Sequence, residues 1–320
     1  MLTVQKFGGS SLADAEKLRR AAETVLDARH RGQDVAVVVS AMGSTTDALI
    51  ELAHELNPAP DARELDALMS TGENQSAALL SIALGRMGAR SVSLAGWQAG
   101  MYTDDSHGEA ALTLTFPSRV AAALRAGVIP VVAGFQGIDN HGDVTTLGRG
   151  GSDTSAVALA AALNADRCEI YTDVNGVYTA DPRLVPGARR LNEIDYDDML
   201  LLARAGSQVL HPGSVELAIE NDVELYVLSS AGEPGRTAVR RLDAARRPDY
   251  AGVTRSTEEP TVTLVGAACR SHTLPELASA LSAADISVRG GRMGAGYASV
   301  RVDARQLIPA LQTLHRYVFE

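Results

Sequence analysis

The chain reads as an α/β protein built on a mostly parallel sheet and followed by a small α+β unit. Three observations predict this. Short apolar runs of strand character recur at 2–4, 35–39, 92–94, 128–132, 169–171 and 224–228. Between them lie longer segments, 13–31, 64–87 and 197–205, whose apolar residues recur at helical spacing, the alternation expected of a sheet with helical crossovers. Beyond a stretch rich in Gly, Pro and Arg at 232–248, a strand–helix–strand–strand–helix order follows once on a smaller scale.

Taken in order, strand 2–4 opens the chain and feeds a glycine turn, and helix 13–31 leads to strand 35–39, an unbroken apolar run of the kind buried in parallel sheets. Pro58-Ala59-Pro60 breaks the helical pattern before 64–87. Strands 92–94, 128–132, 169–171 and 224–228 then continue the alternation, with helix 197–205 ahead of the last. The cluster Arg236, Arg240, Arg241, Arg246 and Arg247 suggests a solvated linker, so the expected division is 1–235, a linker at 236–250, and 251–320. In the last part, strand 261–265, helix 274–284, strands 286–289 and 297–302, and helix 304–315 make the small unit.

Composition bounds the function. With 320 residues and 46% hydrophobic content the chain can bury a sizeable core, and its length suggests two domains. A formal charge of −10 argues against a general nucleic-acid or membrane surface, so any phosphate site must be local. There is no long apolar run and no charged leader before one, which predicts a cytoplasmic protein. The two cysteines, Cys168 and Cys269, read as buried thiols rather than a disulfide or metal site. The seven histidines form no ligand pair at helical spacing, and His211 before Pro212 reads as a helix-entry residue.

Two glycine turns carry chemistry. Arg149-Gly150-Gly151-Ser152-Asp153-Thr154-Ser155 feeds an apolar run, and glycines at a helix start let backbone N–H groups approach an anion while Arg149 grips a carboxylate or phosphate through paired hydrogen bonds. By itself the pattern equally fits a Ser/Asp helix cap. Lys6-Phe7-Gly8-Gly9-Ser10-Ser11 sets a cation, two glycines and two hydroxyls at a strand end. This suits a phosphate cradle but is not the P-loop pattern, and taken alone it is also an ordinary strand–helix turn.

Further motifs follow in order: Ser40-Ala41-Met42-Gly43-Ser44-Thr45-Thr46-Asp47, Met69-Ser70-Thr71-Gly72-Glu73, Thr172-Asp173-Val174-Asn175-Gly176-Val177-Tyr178-Thr179-Ala180-Asp181-Pro182-Arg183, and Gly206-Ser207-Gln208-Val209-Leu210-His211-Pro212. Together with the two turns they resemble the aspartokinase family of the amino acid kinase superfamily, over residues 1 to about 235. The resemblance implies a three-layer α/β/α sandwich followed by ACT-type, ferredoxin-like regulatory units, and ATP-dependent phosphorylation of the L-aspartate side chain to 4-phospho-L-aspartate, the opening step of aspartate-family amino acid biosynthesis. It implies that Lys6 contacts ATP phosphates and stabilises the transition state, that Gly8, Gly9 and Ser10 line the phosphoryl path, and that Asp153 organises the centre. Thr46, Glu73, Phe135, Arg149 and Ser152 match the family's aspartate pocket, with Arg149 on a carboxylate and Glu73 facing the ammonium. Thr172, Asp173, Tyr178, Asp181, Arg183 and Gln208 match its nucleotide segment, and Mg²⁺ is expected to arrive with ATP rather than on a protein site.

The chain departs from the family pattern in places. Ser10 replaces the usual threonine and keeps the hydroxyl. About 70 residues follow Ala251, room for one ACT-like unit rather than two, and Val288-Arg289-Gly290-Gly291-Arg292-Met293-Gly294 replaces the usual Ile-Ser-Thr-Ser-Glu strand ending. The expected role of this unit is assembly of a homodimer by sheet pairing, with weak or absent inhibition by lysine or threonine. Two alternatives are a related kinase acting on another acidic substrate and an amino-acid-binding subunit without turnover. Gln208 stands where the family commonly has lysine, and glutamine can hydrogen-bond but cannot neutralise phosphate charge. Gln208→Lys is therefore expected to lower the KM for ATP in steady-state assays, whereas an unchanged or higher value contradicts this reading.

Overall fold

The computed structural model describes residues 1–270 and 273–320. Two compact units divide it, Met1–Asn175 with Glu216–Gly235, and Gly176–Val215 with Arg236–Glu320.

The first unit opens with β1 (Leu2–Phe7), α1 (Ala15–His30) and β2 (Asp34–Val39). Asp14 caps α1 by accepting from the N–H groups of Glu16 and Lys17, both at 2.9 Å, which fixes its start one residue beyond Asp14. Next come α2 (Thr45–Leu56), α3 (Ala62–Arg86), β3 (Ser91–Leu94), β4 (Met101–Thr103), β5 (Leu112–Thr115), α4 (Ser118–Arg125), β6 (Ile129–Ala133), β7 (Gln136–Ile138), β8 (Val144–Thr146), α5 (Gly151–Ala162) and β9 (Arg167–Thr172). The chain forms β10 (Glu193–Asp195) and α6 (Tyr196–Arg204) in the second unit, then runs through α7 (Pro212–Asn221) to β11 (Leu225–Ser229).

Within the first unit the strand order is β11-β9-β1-β2-β6-β3, all parallel. Side chains alternate between faces along each strand. Val35, Val37 and Val39 join Phe7, α1 and α3 in one core, and Ala36 and Val38 point to the opposite face, where α5 packs on β1, β2 and β9. Both faces are thus covered, which is why β2 is apolar from Val35 to Val39 and why the unit has three layers. The expected strands and the break at Pro58-Ala59-Pro60 are all present. A second sheet, β5-β4-β7-β8, is additional to the expected elements.

The second unit contains β12 (Arg236–Arg240), β13 (Gly252–Ser256), β14 (Thr261–Val265), α8 (Thr273–Ala283), β15 (Gly290–Gly294), β16 (Tyr297–Arg301) and α9 (Leu307–Phe319). Its antiparallel sheet runs β13-β14-β16-β15, and Val262, Leu264, Ala298 and Val300 face Leu277, Leu281, Leu311 and Leu314 of α8 and α9 in one core.

Three expectations differ here. The stretch 236–250, expected as a linker, contains β12, paired in parallel with β10, and its Thr237 and Val239 are fully buried. Three of the basic residues have carboxylate partners: Arg240 and Arg246 bond Glu193, and Arg247 grips Asp198 through Nε at 2.9 Å and Nη2 at 2.7 Å. The strand expected at 286–289 begins at Gly290, because Asp285 takes a left-handed φ of 57° and Gln306 bonds the backbone of Asp285 and Ser287, holding a turn there. The last helix starts at Leu307 after a 3₁₀ turn, Ala304–Gln306, capped by Asp303.

Helix α3 lies close to the turn after β2. A Cβ added at Gly72 would meet the Ala41 methyl at 2.9 Å, whereas one at Gly85, on the same helix, meets nothing within 4 Å. Gly72→Ala is expected to destabilise by about 1–3 kcal/mol through overpacking, and Gly85→Ala to stabilise by roughly 0.5–1 kcal/mol through helix propensity. Urea unfolding of the two variants checks both signs.

Candidate active site

The parallel strands end together: Phe7 is in register with Val39 and Tyr171, and Val39 with Ala133. Ligands of open α/β sheets bind outside such carboxyl ends, and most of the expected site residues collect there.

Lys6 is the penultimate residue of β1 and points to the α5 face, since Phe7 points the other way and stacks on Tyr171 at 4.7 Å between ring centroids. Its Nζ lies 2.6 Å from Oδ1 of Asp153 in the first turn of α5, with both side chains nearly closed to solvent. A Cβ at Gly8 would stand 3.4 Å from that Nζ, so the ammonium lies over the glycine loop. Gly8 donates its N–H to the Tyr171 carbonyl at 3.2 Å, and Gly43 donates to the Gly9 carbonyl at 2.9 Å. A side chain at Gly9 would collide with the Ala41 carbonyl at 2.7 Å. Glycine is therefore required there by the approach of two turns. Ser10, next in the loop, is exposed.

The α5 start departs from an ordinary cap. Gly150 occupies the N-cap in the left-handed region with φ of 73°, and no side chain caps the helix. Gly148 is also left-handed, with φ of 67°, so two such glycines flank the exposed Arg149. Ser152 is buried against Gly134, and Asp153 is committed to Lys6. Phe135 holds a left-handed φ of 68°, uncommon for a bulky residue, fixed because its N–H donates to Ser155 Oγ at 3.0 Å and its carbonyl accepts from Leu147 at 2.9 Å. Its ring edge abuts Gly151, where a Cβ would lie 2.9 Å away.

Glu73 is 3% exposed on α3. Its Oε1 accepts from the Ala41 N–H at 2.9 Å, and Oε2 is buried without a hydrogen-bond partner. Burial pushes its carboxyl up to about 7, against the opposing pull of the Ala41 bond. Thr46 is the second residue of α2, after Thr45, whose methyl approaches Gly72. Thr172 ends β9 and Asp173 follows it, the Thr172 hydroxyl donating to Asp173 at 3.1 Å. A continuous series of contacts thus links Glu73, the Ala41 turn, Gly9, Lys6, Asp153, Ser152 and the Arg149 turn.

The remaining expected residues belong to the second unit. Tyr178 bridges Arg190. Asp181 and Arg183 pair with each other through Nε at 3.0 Å and Nη2 at 3.1 Å. Gln208 is exposed on the turn after α6. Cys168 and Cys269 are both buried and free.

Sequence reasoning missed Ser155, which holds Phe135, and the buried Asp66, which bonds the backbone of Gly108 and Thr146. Ser155 stands one helical turn from Gly151 and carried no signal of its own. Asp66 offered one: a charged residue on the same helical face as Glu73. Among the described residues no group of three or more His, Cys, Asp or Glu side chains is placed to hold a metal, and no helix is long and apolar enough to cross a membrane.

Comparison with known proteins shows what the chain resembles. The amino acid kinase family model matches residues 1–229. An aspartokinase of Corynebacterium glutamicum is 44% identical over 98% of this chain and 78% of its own length, and one of Geobacillus stearothermophilus is 47% identical over 83% of this chain. The chain spans 65% of the length of the Geobacillus relative. The crystal structure of E. coli aspartokinase III in complex with aspartate and ADP superposes with a TM-score of 0.87 over all of both chains at 23% identity, a likeness of fold. A family match over residues 1–229 and 44% identity across nearly the whole sequence show that this chain belongs to the aspartokinase family of amino acid kinases.

Proposed function

We propose that the protein is an aspartate kinase, transferring the γ-phosphoryl group of ATP to the side-chain carboxylate of L-aspartate. The observation that carries this reading is the unpartnered, buried Oε2 of Glu73. A buried carboxylate oxygen without a donor is costly in the free protein, and an ammonium group supplies the donor. Arg149 supplies the complementary fork for the α-carboxylate. The E. coli aspartokinase III structure of the same fold holds aspartate and ADP, the acceptor and the nucleotide product of this reaction.

A side-chain carboxylate with a pKa of about 3.9 is ionised at neutral pH, so attack needs no general base. Its oxygen forms a bond to the γ-phosphorus as the bond from phosphorus to the bridging β,γ-oxygen breaks, and ADP leaves with that electron pair. The protein's part is to hold two anions in line and stabilise charge on the transferring group. Lys6, held over Gly8 by Asp153, is placed to donate to phosphoryl oxygens, and the backbone of Gly8, Gly9 and Ser10 lines the path. The donor set fits Mg²⁺ carried on nucleotide phosphates, since Asp153, the carboxylate paired with Lys6, has its Oδ1 already engaged, and among the described residues no cluster of three or more ligand side chains is placed to hold a metal. Bound with ATP, the ion neutralises phosphate charge. Thr172 and Asp173, at the carboxyl end of β9, are assigned nucleotide contacts on the same reading. The sheet of β13–β16 with α8 and α9 is read as an ACT-like unit serving homodimer assembly, in a cytoplasmic enzyme.

The test is Mg²⁺-ATP-dependent formation of aspartyl hydroxamate from L-aspartate and hydroxylamine, with glutamate as competing acceptor and with or without lysine plus threonine. Aspartate-dependent turnover that falls at least 100-fold in Lys6→Ala is expected, with little inhibition by either amino acid. ATP binding without turnover would instead favour a binding subunit.

Glu73 also predicts a pH dependence. Its folded-state pKa, about 7, lies above the ordinary 4.5, so the folded protein retains this proton through the interval between them. Stability contributed by the neutral form is present below 4.5 and is lost as pH rises towards 7. Ammonium binding needs the ionised form, so the KM for aspartate is expected to fall roughly tenfold between pH 6 and 8. Glu73→Gln should abolish that dependence, raise KM, and melt above wild type at pH 8 without substrate.

A further inference from the structure

Asp66 lies seven residues before Glu73 on α3, about two helical turns along the same face. It is fully buried, and both its oxygens are engaged. Oδ1 accepts from the Thr146 hydroxyl at 2.5 Å, while Oδ2 accepts from the N–H groups of Gly108 at 3.0 Å and Thr146 at 3.1 Å and lies 2.9 Å from His107 Nδ1. An oxygen of this kind takes a donor, which fixes the His107 tautomer with its hydrogen on Nδ1.

These donors come from the loop at 104–110 and from β8, and both lead to Arg149. Ala110 donates to the Thr146 carbonyl at 2.9 Å. A Cβ at Gly148 would lie 3.3 Å from the Gly108 carbonyl and 3.6 Å from Glu109 Cγ, so the loop packs directly on the turn that holds Arg149. One buried carboxylate therefore ties the helix bearing Glu73 to the turn bearing Arg149.

We propose that Asp66 and His107 are positioning residues that set the spacing between Glu73 and Arg149, and so discriminate L-aspartate from acidic amino acids one methylene longer. The inference rests on the aspartate kinase reading. If Glu73 takes the ammonium and Arg149 the α-carboxylate, both groups grip the amino-acid end, and their separation fixes where the side chain reaches relative to Lys6. A misplacement of about 1 Å at this distance from the chemistry is enough to change specificity.

The experiment measures KM and kcat for aspartate and glutamate, and KM for ATP, in wild type, Asp66→Asn, His107→Ala and His107→Asn, each with a thermal melt. Asp66→Asn sets an amide donor against backbone donors, and His107→Ala removes one donor, whereas His107→Asn keeps an N–H near the Nδ1 position. The expected result is a five- to tenfold rise in aspartate KM for Asp66→Asn and His107→Ala, a reduced preference for aspartate over glutamate, an unchanged ATP KM, and recovery in His107→Asn. If Asp66→Asn does not fold, His107→Ala and His107→Asn carry the test. An active wild type whose variants keep its aspartate KM and its acceptor preference, or lose only kcat, overturns the positioning role. A wild type that does not phosphorylate aspartate overturns the kinase reading itself, and this inference with it.

Discussion

The ion pair between Lys6 and Asp153 joins the carboxyl end of a central strand to the first turn of the helix packed on its face, at 2.6 Å and with little solvent access. Charges so placed are tolerated only as a pair, and removing either leaves the other uncompensated. The pair therefore fixes more than one lysine. It ties the first turn of α5 to the end of β1 and holds the ammonium over the glycine loop, while the helix start, with Gly150 as N-cap, has no side-chain cap.

Around that pair the site is assembled by backbone approach. Ala41 is the meeting point: its N–H binds Glu73, its carbonyl closes on Gly9, and its methyl lies against Gly72. Gly134 admits Ser152, and Gly151 admits the ring of Phe135, whose left-handed backbone is held from both sides by hydrogen bonds. Strain of this sort persists only where surrounding structure over-determines it. These glycines are space requirements, each with an identified neighbour.

How legible this was in the sequence depended on range. β2 could be read because burial on both faces writes an uninterrupted apolar run. The sheet β5-β4-β7-β8 could not, because strands of three or four residues carry too short a pattern. The arginines at 240–247 resembled a solvated linker because their partners, Glu193 and Asp198, lie some fifty residues earlier. Lys6 and Asp153 each stood out through their motifs, yet nothing local said they would touch. Their roles came from resemblance to a family, and Asp66, outside the quoted motifs, passed for an ordinary helix acid.

Arg149 stands between two residues whose backbones tolerate many conformations, on the exposed approach to a helix whose own start is fixed. Both glycines hold left-handed backbone in the folded chain, so a larger residue at either would strain the turn and shift the guanidinium. Glycine also loses more backbone entropy on folding than any other residue, so the placement of this one side chain is a cost carried by the stability of the whole fold.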